Sequence, residues 1–420
     1  MASKNGEIAG RLPKSEVQIK ILEQGEKAYQ MRTAYKFRIY PNKQQTANLD
    51  LTLETCRHLW NNALEDRRAN WQLNGISRSY EDQAAILTGE KKRYAELYSV
   101  HAHVLQDVLR RLKKAFNNFF RRVKQGAKEK GYPRFKAKGR YNSFTYPESG
   151  FKLTGTRLTL SKIPGTIRTF VHRPIEGNVK TCTLKRDGRG AWFVMFVTEQ
   201  EDPVKLEPRT ALGVDLGISH TVTTSEGQTF DYPKYYVQAE KKNRAAEKSL
   251  HRKKLGSKNR KKAKVTLAII GKRVTNLRDE FCHQVSRELV DLADLIVFED
   301  LNIQGMLKNH CLAKHISDVS WGKLIRFTQS KAERAGKSVE LVDPRNTSQI
   351  CSGCGQIVLK DLSERTHSCL NCGLQMDRDH NAALNILTLG LRGIACGELT
   401  SGLGLRPGKR LFVEAGSPGL

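Results

Sequence analysis

The sequence predicts a chain of two parts: a first part of helices and a small β-barrel, and a second part with an α/β fold. Apolar residues recur at helical spacing over Gln44–Asn74 and His103–Val123. Short alternating runs separated by turn residues fill 142–205, which is typical of a small barrel. From Thr210 three strands are followed by helix, strand, helix, strand and helix, which indicates an α/β domain. The polar, proline-containing segment 201–209 is the predicted boundary between the parts.

The composition indicates a folded protein with a polyanionic partner. The chain has 420 residues, of which 39% are apolar, so it is long enough for two or three domains. Lys and Arg number 72 against 43 Asp and Glu, which gives a net charge of +29. Such an excess points most often to nucleic acid. A basic ribosomal-type or membrane-surface protein is the alternative that charge alone leaves open.

The patterns of apolar residues and cysteines bear on the cellular compartment of the protein. The sequence has no apolar run of about 18 residues, so we expect no membrane-spanning helix. Its first residues lack the apolar core of a signal peptide. Five of the nine cysteines are scattered, which favours a reducing compartment over a disulfide framework.

The first part begins with polar residues 1–31, which we expect to form a disordered extension. Ala34–Tyr40 alternates apolar with basic side chains and predicts a half-buried strand that joins the barrel. In the helix over His103–Val123 we expect a buried stripe of Leu105, Val108, Leu109, Leu112, Phe116, Phe119 and Val123.

The other face of this helix, and the loop after it, are rich in basic and aromatic side chains. Basic residues neutralise phosphates and aromatic rings stack on bases, although a solvated face over an ordinary core remains the alternative. The candidate nucleic-acid contacts are Arg110, Arg111, Lys113, Lys114, Arg121, Arg122, Arg134 and Lys136.

A second basic region lies in the α/β part. Half of the residues from Lys241 to Lys264 are Lys or Arg, and apolar residues at helical spacing follow. This predicts a basic helical hairpin over 235–292 with its turn near Gly256, rather than a merely solubilising segment. Its candidate phosphate contacts are Lys253, Lys254, Lys258, Arg260, Lys261 and Lys262.

Three acids occur where elements of the α/β part begin or end. Asp215 and Glu299 each follow an apolar strand, and Asp379 opens the last helix. The order of elements suits a ribonuclease H-like fold. Cutting a phosphodiester by a two-metal route requires carboxylates that hold divalent cations about 3.5–4 Å apart, and Mg²⁺ or Mn²⁺ prefers such oxygen ligands.

The pattern alone leaves two of these choices open. Asp377 competes with Asp379, because either could cap the helix. Asp300 competes with Glu299, but strand alternation directs neighbouring side chains to opposite faces.

A cysteine quartet precedes the last acid. Cys351 and Cys354 form one CxxC pair, and after fourteen residues Cys369 and Cys372 form another. This spacing predicts one tetrahedral Zn²⁺ site, which is structural because four thiolates leave no open position. Two disulfides or a redox pair are the alternatives.

Together these motifs resemble those of TnpB, a family of transposon-associated RuvC-like nucleases. The resemblance covers about residues 31–390. Its main motifs are Gly213-Val-Asp-Leu-Gly217, Phe298-Glu-Asp-Leu301, Thr347-Ser-Gln-Ile-Cys-Ser-Gly-Cys-Gly355, the second CxxC pair and Asp377-Arg-Asp-His-Asn-Ala-Ala383. Supporting matches are Tyr35-Lys-Phe-Arg-Ile-Tyr-Pro41, Cys56-Arg-His-Leu-Trp-Asn61, Ala115-Phe-Asn-Asn-Phe-Phe-Arg-Arg122, Gly131-Tyr-Pro-Arg-Phe-Lys136 and Ser257-Lys-Asn-Arg260.

The resemblance implies a domain plan. It consists of a wedge β-barrel at 32–45 and 128–205, a helical recognition lobe at 46–127, a RuvC-like nuclease domain at 206–344 and 377–390, a zinc-ribbon-like insert at 345–376 and a flexible tail at 391–420. The long N-terminal extension at 1–31 departs from this plan.

The resemblance also implies an activity: RNA-guided cleavage of double-stranded DNA beside a short flanking motif. Its guide RNA comes from the transposon end, and its catalytic acids are Asp215, Glu299 and Asp379. It further implies kinship with compact type V CRISPR effectors and a place in the prokaryotic cytoplasm, associated with the nucleoid. A non-cleaving DNA- or RNA-binding regulator and a strand-transfer transposase are the alternatives.

Overall fold

The structure is a computed structural model that describes residues 30–309, 313–361 and 364–395. The expected extension therefore lies outside the described residues except for its last two positions, which belong to the first strand. The chain divides into two compact units, Met1–Asp202 and Pro203–Leu420. The division falls at the start of the predicted boundary segment 201–209.

The described helices of the first unit are α1 (Lys43–Asn74), α2 (Tyr80–Arg93), α3 (Ala95–Tyr98) and α4 (Ala102–Lys124). Helices α1 and α4 form where the apolar spacing predicts them, whereas α2 and α3 were not predicted. Asn42 starts α1, because its side chain accepts from Gln45 N and the Gln45 side chain accepts from Asn42 N. The stripe on α4 is buried as far as Phe116, whereas Val123, which we expected to be buried, is exposed.

The first unit also contains a nearly closed antiparallel sheet. Its strands are β1 (Gln30–Tyr40), β2 (Ser143–Pro147), β3 (Phe151–Thr154), β4 (Arg157–Leu160), β5 (Ile163–Phe170), β6 (Asn178–Arg186) and β7 (Trp192–Glu201). They run in the order β2-β6-β7-β1-β5-β4-β3. Strand β1 pairs with both β5 and β7, as predicted. Strand β3 was not predicted from the sequence.

The second unit is built on a five-stranded mixed sheet. Its strands are β8 (Ala211–Asp215), β9 (Val222–Thr224), β10 (Thr229–Phe230), β11 (Leu295–Glu299) and β12 (Ser338–Val342), in the order β10-β9-β8-β11-β12. The first three form an antiparallel meander, and β8, β11 and β12 are parallel. This is the arrangement that the ribonuclease H-like prediction requires.

Helices cover both faces of this sheet. They are α5 (Tyr235–His251), α6 (Lys258–Leu292), α7 (Ile303–Met306), α8 (Ala313–Val319), α9 (Trp321–Arg334) and α10 (Arg378–Ala395). Helices α6 and α9 pack on the face that carries Val214 and Phe298. Helix α10 packs on the opposite face, where Ile386 meets Val297.

The predicted basic hairpin is present as α5 and α6, with Gly256 in its turn. Helix α10 is longer than expected, because residues 391–395 continue it where we placed a flexible tail. The rest of that tail, 396–420, lies outside the described residues. No helix in the described ranges is long and apolar enough to cross a membrane.

Helix α10 approaches the sheet closely because Gly213 has no side chain. A Cβ built on Gly213 would lie 2.1 Å from the carbonyl oxygen of Ala383 and 2.8 Å from the Cβ of Leu387. Both of those atoms belong to α10, so a side chain at this position would push the helix from the sheet.

We therefore expect Gly213→Ala to destabilise the protein by about 1–3 kcal/mol, the usual cost of overpacking a core. Gly271→Ala is the matched control: Gly271 lies within α6 with no atom near its Cβ position, so alanine should stabilise by about 1 kcal/mol. Urea unfolding of the two variants should shift in opposite directions. Equal stability of Gly213→Ala and the parent protein would contradict this account of the packing.

Candidate active site and metal-binding segment

Asp215 and Glu299 lie side by side at the carboxyl edge of the sheet. Their strands are parallel, and Val214 is paired with Phe298, so the two acids are the next residues on adjacent strands. Strand alternation directs both side chains to the face that α10 covers, together with Gly213 and Val297. They are 8% and 6% exposed, respectively.

Asp379 completes the cluster from the first turn of α10. It is 6% exposed, and its Oδ2 lies 3.7 Å from the position of a Cβ on Gly217. Asp377 has a different role, since its Oδ1 accepts from the backbone N–H groups of Asp379 and His380 at 2.8 and 3.0 Å. Asp377 is therefore the helix cap, and Asp379 is the acid that faces the sheet.

The competing acid directly after β11 is also separated from the cluster. Asp300 is exposed, whereas Glu299 is buried. The structure thus brings Asp215, Glu299 and Asp379 together and leaves Asp300 and Asp377 outside.

The cluster is electrostatically strained. Burial raises the pKa of Asp215 well above its usual range, and the charges of Glu299 and Asp379 raise it further, while Arg378 opposes the shift. Burial also raises the pKa of Glu299. The hydroxyl of Thr347 donates a hydrogen bond to Glu299, and this bond opposes the rise in pKa. Acids held this way bind a compensating cation readily.

Two arginines flank the third acid. Arg378 donates from Nε and Nη2 to Asp379 Oδ1 at 3.1 and 3.0 Å. Arg365 Nη1 lies 3.8 Å from Asp379 Oδ2, and about half of the Arg365 side chain is exposed. Sequence reasoning did not single out either arginine, although Arg378 lies inside the Asp-Arg-Asp motif.

The donor set fits hard divalent cations. Buried carboxylates from β8, β11 and α10 lie near enough for the charges of Glu299 and Asp379 to act on Asp215, and oxygen ligands are those that Mg²⁺ and Mn²⁺ prefer. Buried like charges need such a partner, because each carboxylate otherwise raises the cost of ionising the next.

This strain predicts a pH effect on stability. A raised pKa in the folded state means that Asp215 stabilises the protein while protonated, and that this contribution is lost as pH rises from about 4 through the raised value. Without added Mg²⁺, Asp215→Asn should therefore melt at a higher temperature than the parent, by a margin that grows from pH 5 to pH 8. The exposed neighbour variant Asp300→Asn should show no such growth. A margin for Asp215→Asn that is independent of pH would contradict the assignment.

The four cysteines converge as their spacing predicts. Their sulfur atoms all lie within 4.8 Å of one another. The Cys351–Cys372 and Cys354–Cys369 sulfur distances are 3.6 and 3.5 Å. Tetrahedral Zn–S bonds of about 2.3 Å place sulfur atoms about 3.8 Å apart, so the quartet fits one zinc ion.

Each CxxC pair lies in the same kind of turn. Cys351 N donates to Gln356 O, and Gly355 N donates to Cys351 O. The second turn repeats both bonds, from Cys369 N to Leu374 O and from Gly373 N to Cys369 O. Both glycines have φ near +75° (Gly355 +78°, Gly373 +74°), the left-handed region that glycine adopts at little cost. Strands β13 (Thr366–Ser368) and β14 (Gln375–Asp377) flank the second turn and lead into α10.

The candidate nucleic-acid contacts fall into two groups. Four are half-buried, and three of these four make bonds within the fold: Arg111 to Ser143 O and Thr145 Oγ1, Arg122 to Lys130 O and Gly131 O, and Arg260 to Leu250 O and Lys253 O. Lys136 is half-buried, with its Nζ 5.3 Å from the centre of the Trp60 ring. The exposed group is Arg110, Lys113, Lys114, Arg121, Arg134, Lys253, Lys254, Lys258, Lys261 and Lys262. Within this group, Lys113 donates to Glu81 Oε1 at 3.0 Å.

An aromatic groove lies in the first unit, between α1 and the segment 132–135. It has a volume of about 480 Å³ and includes Arg68 and Arg134 in its lining. Trp71, Tyr132 and Phe135 also line it, and each of these rings is substantially exposed. Exposed rings beside arginines suit stacking on nucleic-acid bases. Trp71 was missed in the sequence, because it lies near the end of a long helix away from the basic run.

Comparisons with known proteins establish the family. The chain is 36% identical over 387 residues to a Streptomyces pristinaespiralis protein named "Putative RNA-guided DNA endonuclease". The aligned region covers 90% of this chain and 93% of that protein. The chain belongs to the TnpB family. It is also 29% identical to an Escherichia coli K12 protein named "Putative RNA-guided DNA endonuclease InsQ", over 91% of this chain and 98% of that one.

Family models match three segments of this TnpB-family protein. They are described as "Cas12f1-like, TNB domain" over 321–386, "Probable transposase" over 195–310 and "Helix-turn-helix domain" over 31–75. The first includes the cysteine quartet and Asp379. The third covers β1 and the single long helix α1, so its residues do not form two helices here.

The fold is shared with a solved structure. The chain from the "Cryo-EM structure of the Cas12f1-sgRNA-target DNA complex" matches with a TM-score of 0.55 at 12% identity, over 85% of this chain and 98% of that one. At this identity the likeness concerns the fold of the TnpB-family chain alone.

Proposed function

We propose that this protein is an RNA-guided endonuclease of a transposable element that hydrolyses phosphodiesters of double-stranded DNA. The observation that carries the proposal is the buried cluster of Asp215, Glu299 and Asp379, in a chain of the TnpB family. The acids come from three separate elements, and the close packing of α10 over Gly213 positions the third of them.

The three carboxylates would hold two divalent cations, Mg²⁺ or Mn²⁺, which when bound activate the attacking water and stabilise the leaving oxygen. The chain prepares this site by burying the carboxylates near one another, so that a bound cation would offset the cost of charging Asp215 beside Glu299 and Asp379. Arg365 places a positive charge at the exposed side of Asp379, where a phosphate would approach.

The cysteine segment would hold one structural Zn²⁺ through Cys351, Cys354, Cys369 and Cys372. A closed thiolate site contributes to folding and leaves substrate chemistry to the acids. Because β14 leads directly into α10, a zinc-built insert at 345–376 would help to position Asp379.

The exposed basic residues would bind guide RNA and target DNA. The hairpin of α5 and α6 and the outer face of α4 carry them, and the aromatic groove near Trp71 adds stacking surfaces. We assign the nearly closed sheet as the wedge domain, the helices α1 to α4 as the recognition lobe and the second unit as the RuvC-like nuclease domain. Guide pairing would then read sequence, while the protein reads a short flanking motif and the shape of the heteroduplex.

The test uses the full chain purified with co-expressed transposon-end RNA. Linear DNA carrying a match to the guide should be cut in the presence of Mg²⁺, and DNA with a mismatched guide region should not. Binding without cutting under any divalent cation would favour a regulator, and joined DNA ends would favour a transposase. Either result would overturn the proposal.

A further inference from the structure

Thr347 connects the zinc-binding segment to the acid cluster. It is 2% exposed, and its hydroxyl donates to Glu299 Oε1. The carbonyl oxygen of Pro344, 3.1 Å away, is the alternative acceptor. A hydroxyl has one proton, so Thr347 can donate to Glu299 or to the neutral carbonyl oxygen of Pro344, but not fully to both. The carboxylate of Glu299 is the stronger acceptor.

Two asparagines of α10 hold the backbone around Thr347. Asn385 Nδ2 donates to Thr347 O at 2.8 Å and to Ile350 O at 2.7 Å. Asn381, one turn earlier, donates to Ile350 O at 2.8 Å and accepts from Ser352 N at 2.9 Å. Both side chains are buried, so these bonds are protected from exchange with water.

The held segment contains a zinc ligand. Cys351 lies between Ile350 and Ser352, both of which Asn381 contacts. The same short stretch therefore carries one thiolate of the quartet at one end and the partner of Glu299 at the other. The stretch thus contacts Glu299 directly, and it contacts the helix that carries Asp379 through the two asparagines.

We propose that Thr347 is a positioning residue that orients Glu299 for a divalent cation, and that zinc at the cysteine quartet maintains this orientation. The inference rests on the proposed cation site at Asp215, Glu299 and Asp379. An oriented carboxylate binds a cation without first losing rotamer freedom, and hydrogen bonds to ligating carboxylates commonly change metal affinity 10- to 100-fold.

The experiment measures Mn²⁺ binding to the full chain with its RNA by electron paramagnetic resonance. Asp215→Ala serves as the reference, so that Mn²⁺ bound to RNA is subtracted. Thr347→Val keeps the shape and removes the hydroxyl, and should weaken Mn²⁺ binding about 10-fold with zinc content unchanged. Thr347→Ser, which keeps the hydroxyl, should restore most of the affinity, and Ser348→Ala should bind as the parent does.

A second variant keeps the test decisive if Thr347→Val folds poorly. Cys354→Ser should lose zinc and also weaken Mn²⁺ binding, although all three acids are intact. Thr347→Val with parental affinity, equal loss in Thr347→Ser, or a zinc-free Cys354→Ser with parental affinity would each overturn the inference. A parent protein that binds no more Mn²⁺ than Asp215→Ala would instead overturn the cation site of the proposed function.

Discussion

Glu299→Gln is expected to reduce guide-dependent DNA cleavage at least about 1000-fold. The amide preserves the shape of the side chain but removes a ligand charge from the buried cluster. Stabilisation of developing charge by a metal site is worth several kcal/mol, and each ~1.4 kcal/mol lost is a factor of ten in rate. Single-turnover cleavage with saturating enzyme separates this effect from weaker DNA binding.

The adjacent acid is the matched control. Asp300 follows Glu299 directly after the end of β11 but is exposed, so Asp300→Asn should cleave within a few-fold of the parent. The same comparison applies on α10. Asp379→Asn should be inactive, whereas Asp377→Asn should be active, because asparagine caps a helix as well as aspartate does. Equal activity within either pair would remove the buried member from the proposed site.

Cys351→Ser is expected to remove bound zinc and to destabilise the segment before α10. Structural zinc sites contribute about 10–16 kcal/mol of apparent binding energy in small zinc-binding peptides, so the loss of one thiolate removes much of what holds the two CxxC turns together. Zinc per chain, measured by mass spectrometry of the metal, should fall from about one to near zero. Proteolysis should become faster within 345–376.

Cys282→Ala controls for a general effect of removing a thiol. Cys282 is a buried cysteine of α6, remote in sequence from the quartet, and it should leave zinc content unchanged. Full zinc occupancy in Cys351→Ser would exclude Cys351 as a ligand. Loss of zinc with unchanged proteolysis would show that the metal does not hold the segment.

Much of the local structure follows from apolar spacing and turn residues. The helix predicted over Gln44–Asn74 is found at Lys43–Asn74, and the strand Ser338–Val342 is found with its predicted ends. These elements are long or strongly periodic, or are bounded by breakers, so local preference and tertiary burial agree. Strand β3 and the short α7 were not predicted, because each has four residues, too few to show a periodic pattern.

Some residues of the candidate sites could likewise be predicted from the sequence, and others could not. The cysteine quartet was identifiable from spacing alone, since two CxxC turns bring four thiolates together with little help from the rest of the chain. The acids were identifiable as a set only from their positions beside strands and a helix. Spacing could not decide between Asp377 and Asp379.

The sequence by itself indicated the main helices and strands, the cysteine quartet and a set of candidate acids. Only the tertiary structure decided that Asp377 caps α10 while Asp379 faces Asp215, and that Thr347 donates to Glu299. The physical reason is that these relations join residues distant along the chain. They depend on how closely α10 lies on the sheet, and the absence of a side chain at Gly213 permits that approach.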